Sequence, residues 1–232
     1  MNLLAIDTAA SVLSAAVAAE DAIAYTETEA GTRHSELVMD CIDAVMRDAG
    51  LRPNDIDGIL CMGGPGSFTG LRIGFSVGKG LALALNIPFA PVPTLDCMAL
   101  GHSSFASQTQ VMPVIAAIKN AFFFALYRNG ERLGPDMDAT TEQIAAVIDR
   151  NGKTGKTLLT GPGADRLYNA LPQEVKPKAA LAYENRGYAK DLIDIAKKYK
   201  IFDNDNSAHL FEGPEYIRKS DAELNLTGNA GN

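Results

Sequence analysis

Apolar positions follow two rhythms along this chain. Residues 3–6 are apolar up to Asp7, residues 13–18 are small or apolar again, Glu20 and Asp21 offer a turn, and residues 22–28 alternate small, apolar and polar side chains. Short apolar runs bounded by turn residues predict three strands in a meander. The rhythm then changes. Leu37, Val38, Cys41, Ile42, Val45 and Met46 recur at helical spacing, with Gly50 as the stop and Pro53 beyond it, which predicts an amphipathic helix. Residues 59–62 read as a strand feeding a glycine-rich segment, and residues 71–85 as a second helix ended by Asn86 and Pro88. Strand, helix and strand in this order imply a parallel crossover and an α/β fold.

The second half is patterned less clearly. Residues 92–107 are irregular, with a short helix expected at 95–100. Residues 111–117 and 122–128 are apolar strands, and Asn129-Gly130 is a turn signal. Residues 141–148 predict a helix opened by a threonine cap, 157–160 a short strand and 186–199 a last helix. Residues 221–232 are polar and glycine-containing, a composition that predicts disorder. The expected organisation is a lobe over residues 1–108, a second over 109–220, and a tail.

Composition narrows the class. The chain has 232 residues, 47% of them hydrophobic, which is enough for a substantial core. No uninterrupted apolar run reaches the roughly 18 residues of a membrane span, and Met1-Asn2-Leu3 does not open like a signal peptide. A cytoplasmic protein without a membrane partner is the expectation. Cys41, Cys61 and Cys97 show no CxxC spacing and read as reduced core thiols. Charge is uneven: residues 1–118 carry five Lys/Arg against twelve Asp/Glu, so the whole net charge of −7 lies there. That half cannot neutralise RNA phosphates, and the lysines of the second half read as a solvated face.

Residues 63–74, Gly-Gly-Pro-Gly-Ser-Phe-Thr-Gly-Leu-Arg-Ile-Gly, place five glycines and a proline between a strand and a helix. Glycine lets backbone N–H groups approach an anion, and the following helix start adds free donors. The same composition suits a tight turn needing glycine for geometry alone. The loop is neither a Walker A motif nor a dinucleotide fingerprint. Gly70, Gly74 and Gly78 recur every four residues, leaving one face of the second helix nearly bare. Either another subunit's helix or the chain's own sheet can approach that face.

Together with Leu4-Ala5-Ile6-Asp7-Thr8, His34-Ser35-Glu36-Leu37, Thr160-Gly161-Pro162-Gly163-Ala164 and Pro214-Glu215-Tyr216-Ile217-Arg218, the loop resembles the TsaB (YeaZ) family over residues 2 to 219. The resemblance implies an actin-like, ribonuclease H-like fold with two lobes, and a role in forming threonylcarbamoyladenosine beside the tRNA anticodon. The family's catalytic work lies in a paralogue, TsaD. This chain is then expected to be a non-catalytic partner of TsaD and of the TsaE ATPase, to self-associate, and to meet tRNA only through the complex. Leu37, Val38, Cys41, Ile42 and Val45 on the first helix, with Gly70, Gly74 and Gly78 on the second, are the expected interface.

In an actin-like fold an acid at the position of Asp7 helps hold a nucleotide's metal, and Thr8, Gly64, Gly66, Ser67, Gly161 and Gly163 would be a vestigial phosphate site. An Asx turn or cap is the structural alternative for Asp7. No tightly bound cofactor is expected, with ATP or ADP held weakly or at the TsaD interface. The paralogue's metal-binding histidine pair falls on Thr94 and Met98 here, and His34, His102 and His209 are far apart in sequence, so no zinc or iron site is expected. The family's Asp-Ala-Arg stretch is also missing, replaced by Ala116-Ala117-Ile118-Lys119. An ATP-dependent phosphotransferase or a metallopeptidase on the same fold is the alternative from a different class.

Overall fold

The computed structural model describes residues 1–20, 22–102, 109–118, 120–152, 155–203, 210 and 212–217. The expected tail over 221–232, and the residues Lys119, His209 and Arg218, lie outside them.

The first sheet opens with the meander expected from the patterning: β1 (Leu3–Asp7), β2 (Val12–Ala19) and β3 (Ala22–Glu29). Glu20 turns the chain at φ 49°. Helix α1 (His34–Asp48) follows and stops at Gly50, whose φ of 67° suits glycine. Strand β4 (Gly58–Gly64) leads through the glycine loop into α2 (Phe68–Leu85), which Asn86 ends in the left-handed region. β5 (Phe89–Pro93) and α3 (Thr94–Leu100) complete this part. The strand order is β3-β2-β1-β4-β5, with β1, β4 and β5 mutually parallel.

The second sheet contains β6 (Gln110–Ala116), β7 (Ala121–Phe124), β8 (Tyr127–Arg128), β9 (Glu131–Arg132), β10 (Met137–Thr140), β11 (Thr157–Thr160) and β12 (Ala179–Leu181). It carries α4 (Thr141–Asn151) and α5 (Ala164–Ala170). The continuous strand expected over 122–128 is broken between β7 and β8. Both pieces pair with β6 in one register, Val114 with Phe124 and Val111 with Tyr127. The gap falls opposite Pro113, which has no N–H to offer a ladder. Asn129-Gly130 turns β8 into β9 with both φ positive, at 53° and 77°. Thr140 caps α4 in a reciprocal box with Gln143.

The last helix, α6 (Ala189–Tyr199), begins three residues later than the pattern suggests. It follows the second sheet in sequence yet packs on β1 and β2 of the first. Its inward residues Leu192, Ile193 and Ala196 join a core with Leu3, Ala5, Leu60 and α3. A second core lies on the opposite face of the first sheet, under α1 and α2, and a third under α4 and α5. Helix α2 is long and apolar enough to cross a membrane by length and composition, and its inner face is seated on β4 and β1.

Candidate functional site

The glycine loop, the end of β1 and the segment at 212–217 meet at one place, built from short backbone distances. Ser67 caps α2 by accepting the Gly70 N–H at 3.2 Å. Its own N–H donates to the Ala9 carbonyl at 2.8 Å, and Gly64 N–H donates to Thr94 Oγ1 at 3.2 Å. These donors are therefore spent inside the protein. A Cβ at Gly64, where φ is 117°, would lie 2.4 Å from the Glu215 carbonyl oxygen, and one at Gly66 2.8 Å from that of Ala9. The loop needs glycine for close approach of its own segments. Glu215 N–H donates to the Gly63 carbonyl at 2.8 Å, while Tyr216 stacks on Phe68 and accepts from Arg72. Gly161, at φ 87°, and Gly163 press on β6, where Gly163 N–H meets the Val114 carbonyl at 2.9 Å. Pro162, between them, lines the same cleft as Gly66 and Ser67.

That cleft has a volume of about 840 Å³. One wall is Ala9, Ser11, Gly66, Ser67 and Leu71; the other is Ile115, Ala117, Phe123 and Pro162, with Glu215 to Ile217 at the rim. Glu215 is the one charged side chain among the described residues that line it. Such walls suit an apolar group rather than a run of phosphates.

Asp7 does not line this cleft. Its side chain is buried, with Oδ1 accepting the Ala9 N–H at 3.0 Å and Oδ2 the Tyr188 N–H at 2.8 Å. Desolvation pushes its carboxyl up to about 6, against the opposing effect of these two N–H groups. The Asx-type reading left open by the sequence describes this geometry. A carboxylate so engaged is not presented to a metal, and the residues do not fit a nucleotide–metal group held at Asp7. Thr8 Oγ1 likewise points inward, donating to the Gly70 carbonyl at 2.7 Å.

The two positions that would carry a histidine pair are core residues: Thr94 and Met98 are each fully buried. His34 is also buried, with Nε2 2.8 Å from the Ala10 carbonyl, and His102 Nε2 lies 3.0 Å from Glu184 Oε1. Among the described residues there is no group of three His, Cys, Asp or Glu side chains that could hold a metal. All three cysteines are free and buried, and burial raises each thiol above its ordinary range.

The residues expected at the interface are placed against the chain's own sheet. Val38, Cys41, Ile42 and Val45 are buried at 2%, 7%, 4% and 0% exposure in the core between α1 and its own sheet, and Leu37 is half-buried. The Gly70, Gly74 and Gly78 row also faces inward. Cβ atoms there would lie 2.0 Å from the Thr8 carbonyl oxygen, 2.6 Å from Thr8 Oγ1 and 2.8 Å from the Phe89 ring. The glycines serve helix-on-sheet packing. The outward face of α2 presents instead Thr69, Arg72, Ser76, Gly80, Leu83 and Ala84, with Leu83 at 67% exposure, and α1 exposes Met39 at 43%. This face was legible in the sequence as the side opposite the glycines, which a reading centred on the glycines passes over.

Comparison with known proteins supplies the family. Residues 25–225 match the sequence profile of the family described as TsaD, tRNA N6-adenosine threonylcarbamoyltransferase. Two relatives named tRNA threonylcarbamoyladenosine biosynthesis protein TsaB align along nearly their whole length. That of Bacillus subtilis is 34% identical over 96% of both chains, and that of Escherichia coli 31% identical over 98% of this chain and 99% of its own. The solved structure of YeaZ from Pseudomonas aeruginosa superposes with a TM-score of 0.77, covering 93% of this chain and 99% of its own at 24% identity. A second Pseudomonas aeruginosa structure, described as similar to peptidase YEAZ, gives 0.79 over 94% and 99%, also at 24% identity. These likenesses show that the chain shares the fold of the YeaZ structures. The chain belongs to the TsaB (YeaZ) family, on the branch it shares with the TsaD transferases.

Proposed function

We propose that this chain takes part in threonylcarbamoyladenosine formation on tRNA as a non-catalytic subunit that binds and activates TsaD. The observation that carries this reading is the state of Asp7. The one acid at the β1 end of an actin-like sheet is buried and spent on two backbone N–H groups, and the adjoining cleft is walled by apolar side chains. Acyl transfer from an adenylate needs charge stabilisation at the reacting carbonyl, and the partner supplies it in this scheme. The relatives named TsaB support the pathway.

The docking surface in this proposal is the outward side of α2 with Met39 of α1, used toward TsaD and, in the free protein, toward a second copy. TsaE, with ATP, joins the assembled pair, tRNA is held through TsaD, and any ATP or ADP sits weakly or at the shared interface. The test is reconstitution. Threonylcarbamoyladenosine formation is measured for TsaD with TsaE and ATP, with and without this chain, and for this chain alone. The expected result is strong stimulation of TsaD and no product from the chain alone. Product from the chain without TsaD would overturn the proposal.

A further inference from the structure

The corner of the first sheet at the end of β1 is filled by this chain's own backbone. Asp7 at the end of β1 and Ser14 on β2 both point at the turn into α6. Tyr188 N–H donates to Asp7 Oδ2 at 2.8 Å, and Ala189 N–H donates to Ser14 Oγ at 3.1 Å. These amides stand at the start of α6, where a helix leaves its donors unpaired and where an anion would otherwise bind. Gly187, just before them, comes so near that a Cβ on it would lie 2.2 Å from the Ser14 side chain. Its N–H donates to Glu27 at 2.8 Å, and its carbonyl accepts from the Tyr25 hydroxyl at 3.1 Å. Four hydrogen bonds between the first sheet's strands and this turn thus pair eight groups with one another without a ligand.

The other end of the same segment is fastened to the second sheet. Glu184 accepts from Thr160 Oγ1 at 2.9 Å and from the Tyr188 hydroxyl at 3.0 Å. Thr160 is the last residue of β11 and is fully buried. Arg186 pairs with both Glu184 and Asp191. Lifting the turn would break these bonds and expose the apolar side of α6, where Leu192 and Ile193 are fully buried.

We propose that residues 184–191 form a built-in occupant and latch, which fills the Asp7/Ser14 corner in place of an anion and ties the two sheets into one rigid body. Phosphate groups are excluded from Asp7 while α6 is seated, and the cleft is held at one width rather than closing on a nucleotide.

Residue-resolved amide hydrogen exchange on the full chain tests this. In the wild type, Tyr188 and Ala189 should exchange as slowly as interior amides of β1, and millimolar Mg-ATP or inorganic phosphate should leave those rates unchanged. Ser14→Ala removes one acceptor and leaves room. It should speed exchange by about tenfold or more through α6 and also in β11, while α1 is unchanged, because the latch opens as one unit. Gly187→Ala should give the same pattern by steric displacement. Loosening confined to Ala189, or a change at Tyr188 and Ala189 on adding ATP or phosphate, would overturn the proposal. The wild-type measurement decides the ligand question even if neither variant folds.

Discussion

Asp7 and Glu184 show how burial and hydrogen bonding set the same residue class in opposite directions. Asp7 is lifted to about 6 by desolvation, which outweighs its two N–H donors. Glu184 also feels desolvation, but the His102 and Thr160 hydrogen bonds and the Arg186 charge outweigh it and hold the carboxyl at about 2. The signs then follow from linkage. A carboxyl with a raised folded value binds its proton more tightly in the folded state, so its contribution is full below the unfolded value of 3.8 and is lost as pH rises to about 6. Glu184 does the reverse, contributing above its ordinary 4.5 and losing that as pH falls toward 2. The expected melting profile therefore declines between pH 4 and 6 by an amount on the order of 3 kcal/mol. In Asp7→Asn that decline should flatten; a wild-type slope retained in the variant would show that another group causes it.

Helices α1 and α2 show how a face is assigned at the scale of elements. The apolar residues of α1 and the bare glycine row of α2 have the composition of an interface, yet both look down onto the sheet. Bringing a helix axis close to a strand needs small residues as much as bringing two helices together does. Consequently Val38→Glu and Ile42→Glu place an unpaired carboxylate in the core, and each should cost several kcal/mol, about 3–5, and abolish cooperative folding. Leu83→Glu alters a side chain that is 67% exposed, and should leave the melting temperature within a few degrees while weakening TsaD binding and self-association. Circular dichroism and light scattering on the three variants separate the two faces. A folded Val38→Glu protein that fails only in association would return the interface to the inner side.

Charge is decided at the scale of the whole molecule. The first 118 residues hold the entire net charge of −7, and those residues build the first sheet, α1 and α2. Binding a polyanion by counterion release needs clustered cations, and several of the second half's are already paired, Arg132 to Asp96 and Asp136, Lys178 to Asp149, Arg186 to Asp191. The chain alone should therefore show no salt-dependent tRNA affinity in the micromolar range by filter binding, whereas its complex with TsaD should. Micromolar binding by the isolated chain that weakens steeply with salt would contradict this.

Short-range rules were sufficient for much of this protein. The meander, the stops at Gly50 and Asn86, the Asn129-Gly130 hairpin and the Thr140 cap depend on contacts within a few residues, and they can be read without the fold. Family membership was legible too, because the glycine loop needs its residues in a fixed order for close backbone approach. What only the tertiary structure decided are the partners of groups far apart in sequence. Asp7 meets Tyr188, Ser14 meets Ala189 and Gly70 meets Thr8, and no local pattern encodes which of two available surfaces a small-residue face will cover. The break opposite Pro113 and the late start of α6 belong to the same class, since one follows from a donor missing on the neighbouring strand and the other from acceptors supplied by distant ones. A sequence states which groups need a partner; the folded chain determines whether that partner is itself or another molecule.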